Sequence, residues 1–257
     1  MIRGHRALTW ACDGGILVTR LRGGHSAFVS VLACGLLTAV SAWPGELSAQ
    51  QPLSIPAPNG GVIRADSYGA GVHGVVLAHG GRFDKSSWEE QGRTLAEAGF
   101  RAVAIDFRAA IQSRAGQESA CLYDAACLAV DVLAAVRYLR REGARSVSVV
   151  GGSLGGGATA QASVEAAEGE IDRVVLLAHM PIETPERIKG RTLFIVSRGD
   201  TGSGGIPRLV GIRDQYERAP DPKELVILEG AAHAQFIFET PEGDRLMREI
   251  LRFLSAP

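Results

Sequence analysis

The stretch Val147-Ser148-Val149-Val150-Gly151-Gly152-Ser153-Leu154-Gly155-Gly156-Gly157 constrains the fold more than any other part of the chain. A β-branched run of strand length enters a glycine turn around one serine. A helix pattern carried by Ala158, Ala160 and Ala162 leaves it. A serine at the tip of so tight a turn occupies strained backbone torsions, and side chains at 151 and 155 would collide there. The turn exposes the Ser153 hydroxyl and sets the Leu154 amide at a helix start, where it can donate to an oxyanion. A Gly-x-Ser-x-Gly string also arises by chance in a chain with 32 glycines among 257 residues. The strand before it and the helix after it give this one its meaning.

Further apolar runs of strand length recur around it: Val75 to Ala78, Ala102 to Ile105, Val174 to Ala178, Leu193 to Val196 and Leu225 to Leu228. Uninterrupted runs of this kind suit strands buried on both faces, as in a parallel sheet. Helical faces lie between and after them. Leu128, Val132, Val136 and Leu139 share one, and Leu246, Met247, Ile250, Leu251 and Leu254 another. Ser86-Ser87-Trp88-Glu89-Glu90 reads as a further helix opened by a capping serine. Strands alternating with helices predict an α/β fold, with a doubly wound, mostly parallel sheet flanked by helices. No internal repeat and no second folded domain is visible.

A serine hydroxyl is a weak nucleophile and needs a base. His233 follows the last strand-like run and precedes the C-terminal helix, so its loop can return over the sheet edge to Ser153. His5 and His25 fall near the N-terminus, and His73 precedes the first clear strand. His179, just after a strand, is either pocket lining or polar surface. A carboxylate to orient the base should end a strand between Ser153 and His233, and Asp200 does so. The bland reading of Asp200 is an ion pair with Arg198. Asp172 precedes its strand, at the wrong end of the sheet, and Asp214 and Glu217 look helical. Finally, His79-Gly80-Gly81-Arg82 turns off a strand end. The Gly81 amide, or else that of Arg82, would be a second oxyanion donor, with His79 bracing the loop.

The first fifty residues differ from the rest. Arg20, Arg22 and His25 precede an apolar run from Ala27 to Val40, and Ala42 and Ala49 fit the small-residue rule for leader cleavage. The run is shorter than the roughly 20 residues that span a bilayer, so residues 1–49 read as an export leader, with a retained N-terminal anchor as the alternative. The proline-rich residues 50–60 read as an extended connector, and 61–257 as the folded domain. Cys121 and Cys127 could close a small loop in an oxidising compartment, or remain two half-buried thiols. The net charge of −1, from 27 basic and 28 acidic residues, shows no basic face for nucleic acid. No sequence feature sets an oligomeric state.

His79-Gly80-Gly81, Gly151-Gly152-Ser153-Leu154-Gly155, Asp200 and His233 follow the order and spacing of the α/β-hydrolase superfamily. From about Gly60 to Leu254 the chain resembles small lidless esterases and dienelactone-hydrolase-like members. Dienelactone hydrolases use a cysteine where this chain has Ser153. The Asp-x-Arg-Gly common after the fourth strand is here Asp106-Phe107-Arg108-Ala109. The resemblance implies an α/β-hydrolase fold with no cap domain, since only Met180 to Gly190 separates two strand-like runs where a cap would insert. It also implies a serine hydrolase of small carboxylic esters, using Ser153, Asp200 and His233 with no metal or organic cofactor; the leader reading adds export, to the periplasm or outside the cell. Once the leader is removed, no membrane insertion is expected. A peptidase or thioesterase would use the same groups, and a catalytically idle binding protein would keep only the fold.

Overall fold

The computed structural model describes residues 50–58 and 60–256. The expected leader therefore lies outside the described residues. Among the described residues, no helix is long and apolar enough to cross a membrane.

Eight strands form one sheet: β1 (Gln51–Pro56), β2 (Val62–Tyr68), β3 (His73–Ala78), β4 (Phe100–Ile105), β5 (Ser146–Gly152), β6 (Arg173–Leu177), β7 (Arg191–Ser197) and β8 (Lys223–Leu228). Their order across the sheet is β1-β2-β4-β3-β5-β6-β7-β8. From β4 to β8 every neighbouring pair is parallel, with Val76 opposite both Val103 and Val149, and Val149 opposite Val174. These are the runs read as buried strands, and Val75, Val76, Val103, Val149, Val174, Phe194 and Ile195 are fully buried. Parallel neighbours require crossovers, which six helices help to supply. They are α1 (Glu89–Glu97), α2 (Arg108–Arg114), α3 (Ala125–Arg141), α4 (Leu154–Glu165), α5 (Arg208–Arg218) and α6 (Gly243–Ser255).

Two expectations need correction. Residues 50–60 are not a free connector: Gln51–Pro56 is β1, paired antiparallel with β2 from Gln51 opposite Ser67 to Pro56 opposite Val62. Pro52 and Pro56 are tolerated because β1 is an edge strand, where a missing N–H need not break a ladder. The folded domain thus begins ten residues earlier than expected, at Gln51. Ser86 does not cap a helix either. Asp84 does so, its carboxylate accepting from the Ser86 N–H at 2.9 Å at the start of a 3₁₀ turn, Lys85–Trp88, that leads into α1.

Between β6 and β7 the chain has only a 3₁₀ turn, Pro185–Arg187, and no cap domain is built there. The site is therefore left to the loops at the C-terminal ends of β3, β5, β6, β7 and β8, where open parallel sheets bind their ligands.

Candidate active site

Ser153 follows β5 directly and is the N-cap of α4, with φ 51° and ψ −112°. A non-glycine residue at positive φ is strained, and the turn around it is too tight to relax. A Cβ on Gly151 would lie 2.4 Å from the Gly155 carbonyl oxygen and from Thr159 Oγ1. One on Gly155 would lie 2.4 Å from the Ala78 carbonyl oxygen. Side chains at both positions are excluded, as the sequence implied. The Ser153 N–H donates to the Leu177 carbonyl at 2.9 Å, and its own carbonyl accepts from Met180 and Gly157, each at 3.0 Å. The strained serine is thereby held from both β6 and α4.

The structure brings Ser153, His233 and Asp200 together across 80 and 33 positions of chain. His233 Nε2 lies 2.8 Å from Ser153 Oγ, and His233 Nδ1 lies 2.7 Å from Asp200 Oδ2. An ionised carboxylate can only accept, so Nδ1 carries the proton and donates to Asp200, leaving Nε2 to accept from the serine hydroxyl. Asp200 is 1% exposed, whereas the His233 side chain is 27% exposed and open to the cleft. Arg198 does not engage Asp200; it pairs with Glu229 at 3.0 Å on the surface. Arg208 does, a residue that motif reading passed over. The loop after Asp200 folds back through a Thr201–Pro207 bridge, so that the Arg208 N–H donates to the Asp200 carbonyl at 2.9 Å. Its guanidinium Nε stands 3.4 Å from Asp200 Oδ1, the oxygen that His233 leaves free.

Leu154 is the first residue of α4, so its N–H has no carbonyl within the helix to bond. Gly81 stands across the same cleft and packs on the Leu154 side chain; a Cβ there would lie 3.5 Å from Leu154 Cδ2. The Gly81 loop is fixed from two directions. Gln235 Oε1 accepts from the Gly80 N–H at 2.7 Å. Buried His79 uses both ring nitrogens, Nδ1 against the Gly80 carbonyl at 2.8 Å and Nε2 accepting from the Phe107 N–H at 3.3 Å. Burial pushes the His79 imidazole below its ordinary range, which keeps it neutral and suits a brace.

The sequence model of the Alpha/beta hydrolase family matches residues 75–221, more than half of the chain. The chain belongs to the alpha/beta hydrolase family. Ser153 and Asp200 fall inside the matched span, and His233 lies beyond it. No curated protein matches this hydrolase. Solved structures that resemble it include a dienelactone hydrolase from Anabaena variabilis, 22% identical with a TM-score of 0.67, covering 80% of this chain and 96% of that one. An esterase from Pyrococcus furiosus is 17% identical with a TM-score of 0.65, covering 84% and 96%. A bromoperoxidase from Bacillus anthracis is 17% identical with a TM-score of 0.62, covering 80% and 100%. At such identities the likeness is one of fold, and the differing names show how little the fold fixes the reaction.

In this hydrolase Ser153 and His233 open into a cleft of about 290 Å³, at the small end of ligand pockets. Its walls include Gly81, Arg82, Phe83, Tyr123, Leu154, Met180, Arg208 and Phe236. The Phe83 and Phe236 rings pack with centroids 4.8 Å apart. A larger cleft of about 580 Å³ shares Phe83 with it. That cleft has serines and carboxylates but no histidine among its lining residues, whereas the smaller one holds the hydrogen-bonded Ser153 and His233. His179 lines neither. It borders a third cavity of about 220 Å³, and its imidazole is fully buried. Gln215 stands near it, yet the Gln215 amide is spent on Ile182, accepting at 2.9 Å and donating at 3.1 Å. Burial pushes His179 down to about 4.

Proposed function

We propose that this chain is a serine hydrolase that cleaves carboxylic esters of small or short-chain substrates through an acyl-enzyme. The observation that carries the proposal is the unbroken Ser153–His233–Asp200 chain of hydrogen bonds at 2.8 and 2.7 Å, with its nucleophile facing the cleft. Ser153 Oγ attacks the ester carbonyl while its proton passes to His233 Nε2. Asp200 holds the imidazole in the tautomer that can accept and stabilises the imidazolium. The Leu154 and Gly81 amides receive the oxyanion. As the tetrahedral intermediate collapses, His233 returns the proton to the departing alcohol. Water then repeats the sequence on the acyl group and frees Ser153.

An ester needs less leaving-group assistance than an amide, and a small cleft without a cap suits a small acyl group better than a peptide strand. A panel of matched ester, thioester and amide substrates with a common small acyl group tests the reading. Ester turnover should exceed amide turnover by orders of magnitude. Comparable rates on the amide would make the chain a peptidase, and no turnover of any would leave it an idle fold.

The proposal includes export. It is supported by the leader-like composition of residues 1–49 and by a Cys121–Cys127 disulfide, a bond that persists in oxidising compartments. N-terminal sequencing from the native host should find mature protein starting near Trp43 or Gln50. Full-length, fully reduced protein in the cytosol would contradict export.

A further inference from the structure

The segment from Ala115 to Asp124, between α2 and α3, has no regular helix or strand, yet it supplies one wall of the cleft. That wall is Tyr123, 73% exposed, the most exposed of the large hydrophobic side chains among the described residues. A single exposed aromatic on a surface needs no explanation. This one lines the same cleft as Ser153, together with a set that includes Phe83, Phe236 and Met180. So little of its ring is packed that its position must come from the backbone on either side. Cys121 and Cys127 bracket it with a disulfide, their Cα atoms 5.3 Å apart. The Asp124 carboxylate accepts from the Ala126 N–H at 2.9 Å and the Cys127 N–H at 3.3 Å, which fastens the next residue to the first turn of α3. The Asp124 N–H donates to the Cys121 carbonyl at 3.2 Å, closing the turn. Leu128, one residue beyond the bridge, is buried in the core. An exposed ring is thus tied through a covalent link to a rigid helix.

We propose that the Cys121–Cys127 bridge fixes Tyr123 as a specificity wall, and that the cleft selects esters carrying an aromatic ring, held between Tyr123 and the Phe83–Phe236 pair. The inference rests on the esterase reading of Ser153 given above. An apolar ring is favoured because three aromatic side chains, Phe83, Tyr123 and Phe236, line the one cleft, and offset or edge-on ring contacts reward placing a fourth ring among them. Tyr123 touches only the part of the substrate that does not react. It therefore acts on binding and leaves the acyl-transfer chemistry alone. Fixing the loop in advance removes an ordering cost that each substrate would otherwise meet on binding.

Initial rates on methyl acetate, phenyl acetate and methyl phenylacetate, followed by pH-stat, test this. Wild type should prefer at least one aromatic ester over methyl acetate through a lower KM. Tyr123→Ala should raise that KM about three- to tenfold, the worth of one aromatic contact, and raise it more than the KM for methyl acetate, with kcat on the aromatic ester changed by less than about twofold. Tyr123→Phe should keep the preference. The double variant Cys121→Ser/Cys127→Ser should reproduce the KM rise, and adding Tyr123→Ala to it should do little more. If that variant melts below the assay temperature, wild type reduced with a phosphine replaces it, with a mass gain of two hydrogens confirming the opened bridge. An unchanged KM in Tyr123→Ala overturns the wall. Additive effects of Tyr123→Ala and the cysteine variant overturn the tether. Turnover of none of the three esters overturns the esterase reading itself, and this inference with it.

Discussion

Gln235 Oε1 accepts the Gly80 N–H at 2.7 Å, and the same amide group donates through Nε2 to Ser87 Oγ at 2.7 Å. One buried side chain thus ties the loop after β3 to the loop that carries His233. A Cβ on Gly80 would lie 3.3 Å from that carbonyl oxygen, and one on Gly152 would lie 3.2 Å from it. The Gly81 amide and the His233 imidazole are positioned by one shared brace. Gln235→Leu should leave the Gly80 N–H buried without an acceptor, at a cost of about 1–3 kcal/mol in stability. Urea titration measures this. Ester turnover should fall by at least about tenfold in kcat, because the oxyanion donor moves with its loop. Wild-type kcat in this variant would mean that the Gly81 loop is not part of the site.

Asp200→Asn should keep the fold and lose activity. An asparagine amide can turn its N–H toward His233 Nδ1, which forces the proton onto Nε2 and removes the acceptor for the Ser153 hydroxyl. A loss of about 10³- to 10⁴-fold in kcat is expected, as for other triads of this kind. Steady-state kinetics at neutral pH would show it, and unchanged activity would move the acid elsewhere.

The buried His179 predicts a loss of stability in mild acid. In the unfolded chain its imidazole takes a proton near 6.5, while in the folded chain burial delays this to about 4. Between those values the unfolded state binds the proton and the folded state does not, so protonation pulls toward unfolding. The stability is full above about pH 6.5 and falls as pH drops toward 4, by about 2 kcal/mol at pH 5. His79, also pushed down by burial, acts in the same direction. Thermal melts at pH 7 and pH 5 should show a drop in Tm that shrinks in His179→Asn. An equal drop in that variant would place the acid sensitivity elsewhere.

The short β6–β7 connection predicts a preference for short acyl chains. With only residues 178–190 between the two strands, nothing on that side covers a long chain. Each methylene left in water forfeits up to about 0.8 kcal/mol of burial, so lengthening the chain should bring little gain. For p-nitrophenyl esters of increasing acyl length, kcat/KM should peak early and show no jump at the micelle point. A rise that continues to long chains would contradict the open cleft.

The parallel strands from β3 to β7 were legible because they are buried on both faces and so read as apolar runs; β8, at the sheet edge, is only half-buried, yet its Leu225 to Leu228 run is still apolar. β2 escaped that reading because Ile63 and Ala65 alternate with exposed Val62 and Arg64, and β1 because its prolines resemble a linker. Ser153, Asp200 and His233 could be found because each follows its own strand in chain order. Gln235, Arg208 and Tyr123 could not. Gln235 acts on Gly80, 155 positions away at another strand end; Arg208 reaches back to Asp200 through an irregular loop, and Tyr123 joins the cleft from a loop between two helices, and no local pattern announces such placements. The cysteine pair was ambiguous for a related reason. Spacing alone does not bring sulfurs together; the turn at Asp124, which folds Cys121 back onto the first turn of α3, does.

The most direct test of the account is the serine itself. A fluorophosphonate probe should attach once per chain, and tandem mass spectrometry should find the adduct on Ser153. Ser153→Ala should abolish both the labelling and ester turnover, a loss on the order of 10⁴- to 10⁶-fold, with the fold retained. An adduct on another residue, or a folded Ser153→Ala enzyme that keeps more than about a few per cent of wild-type activity, would contradict the assignment.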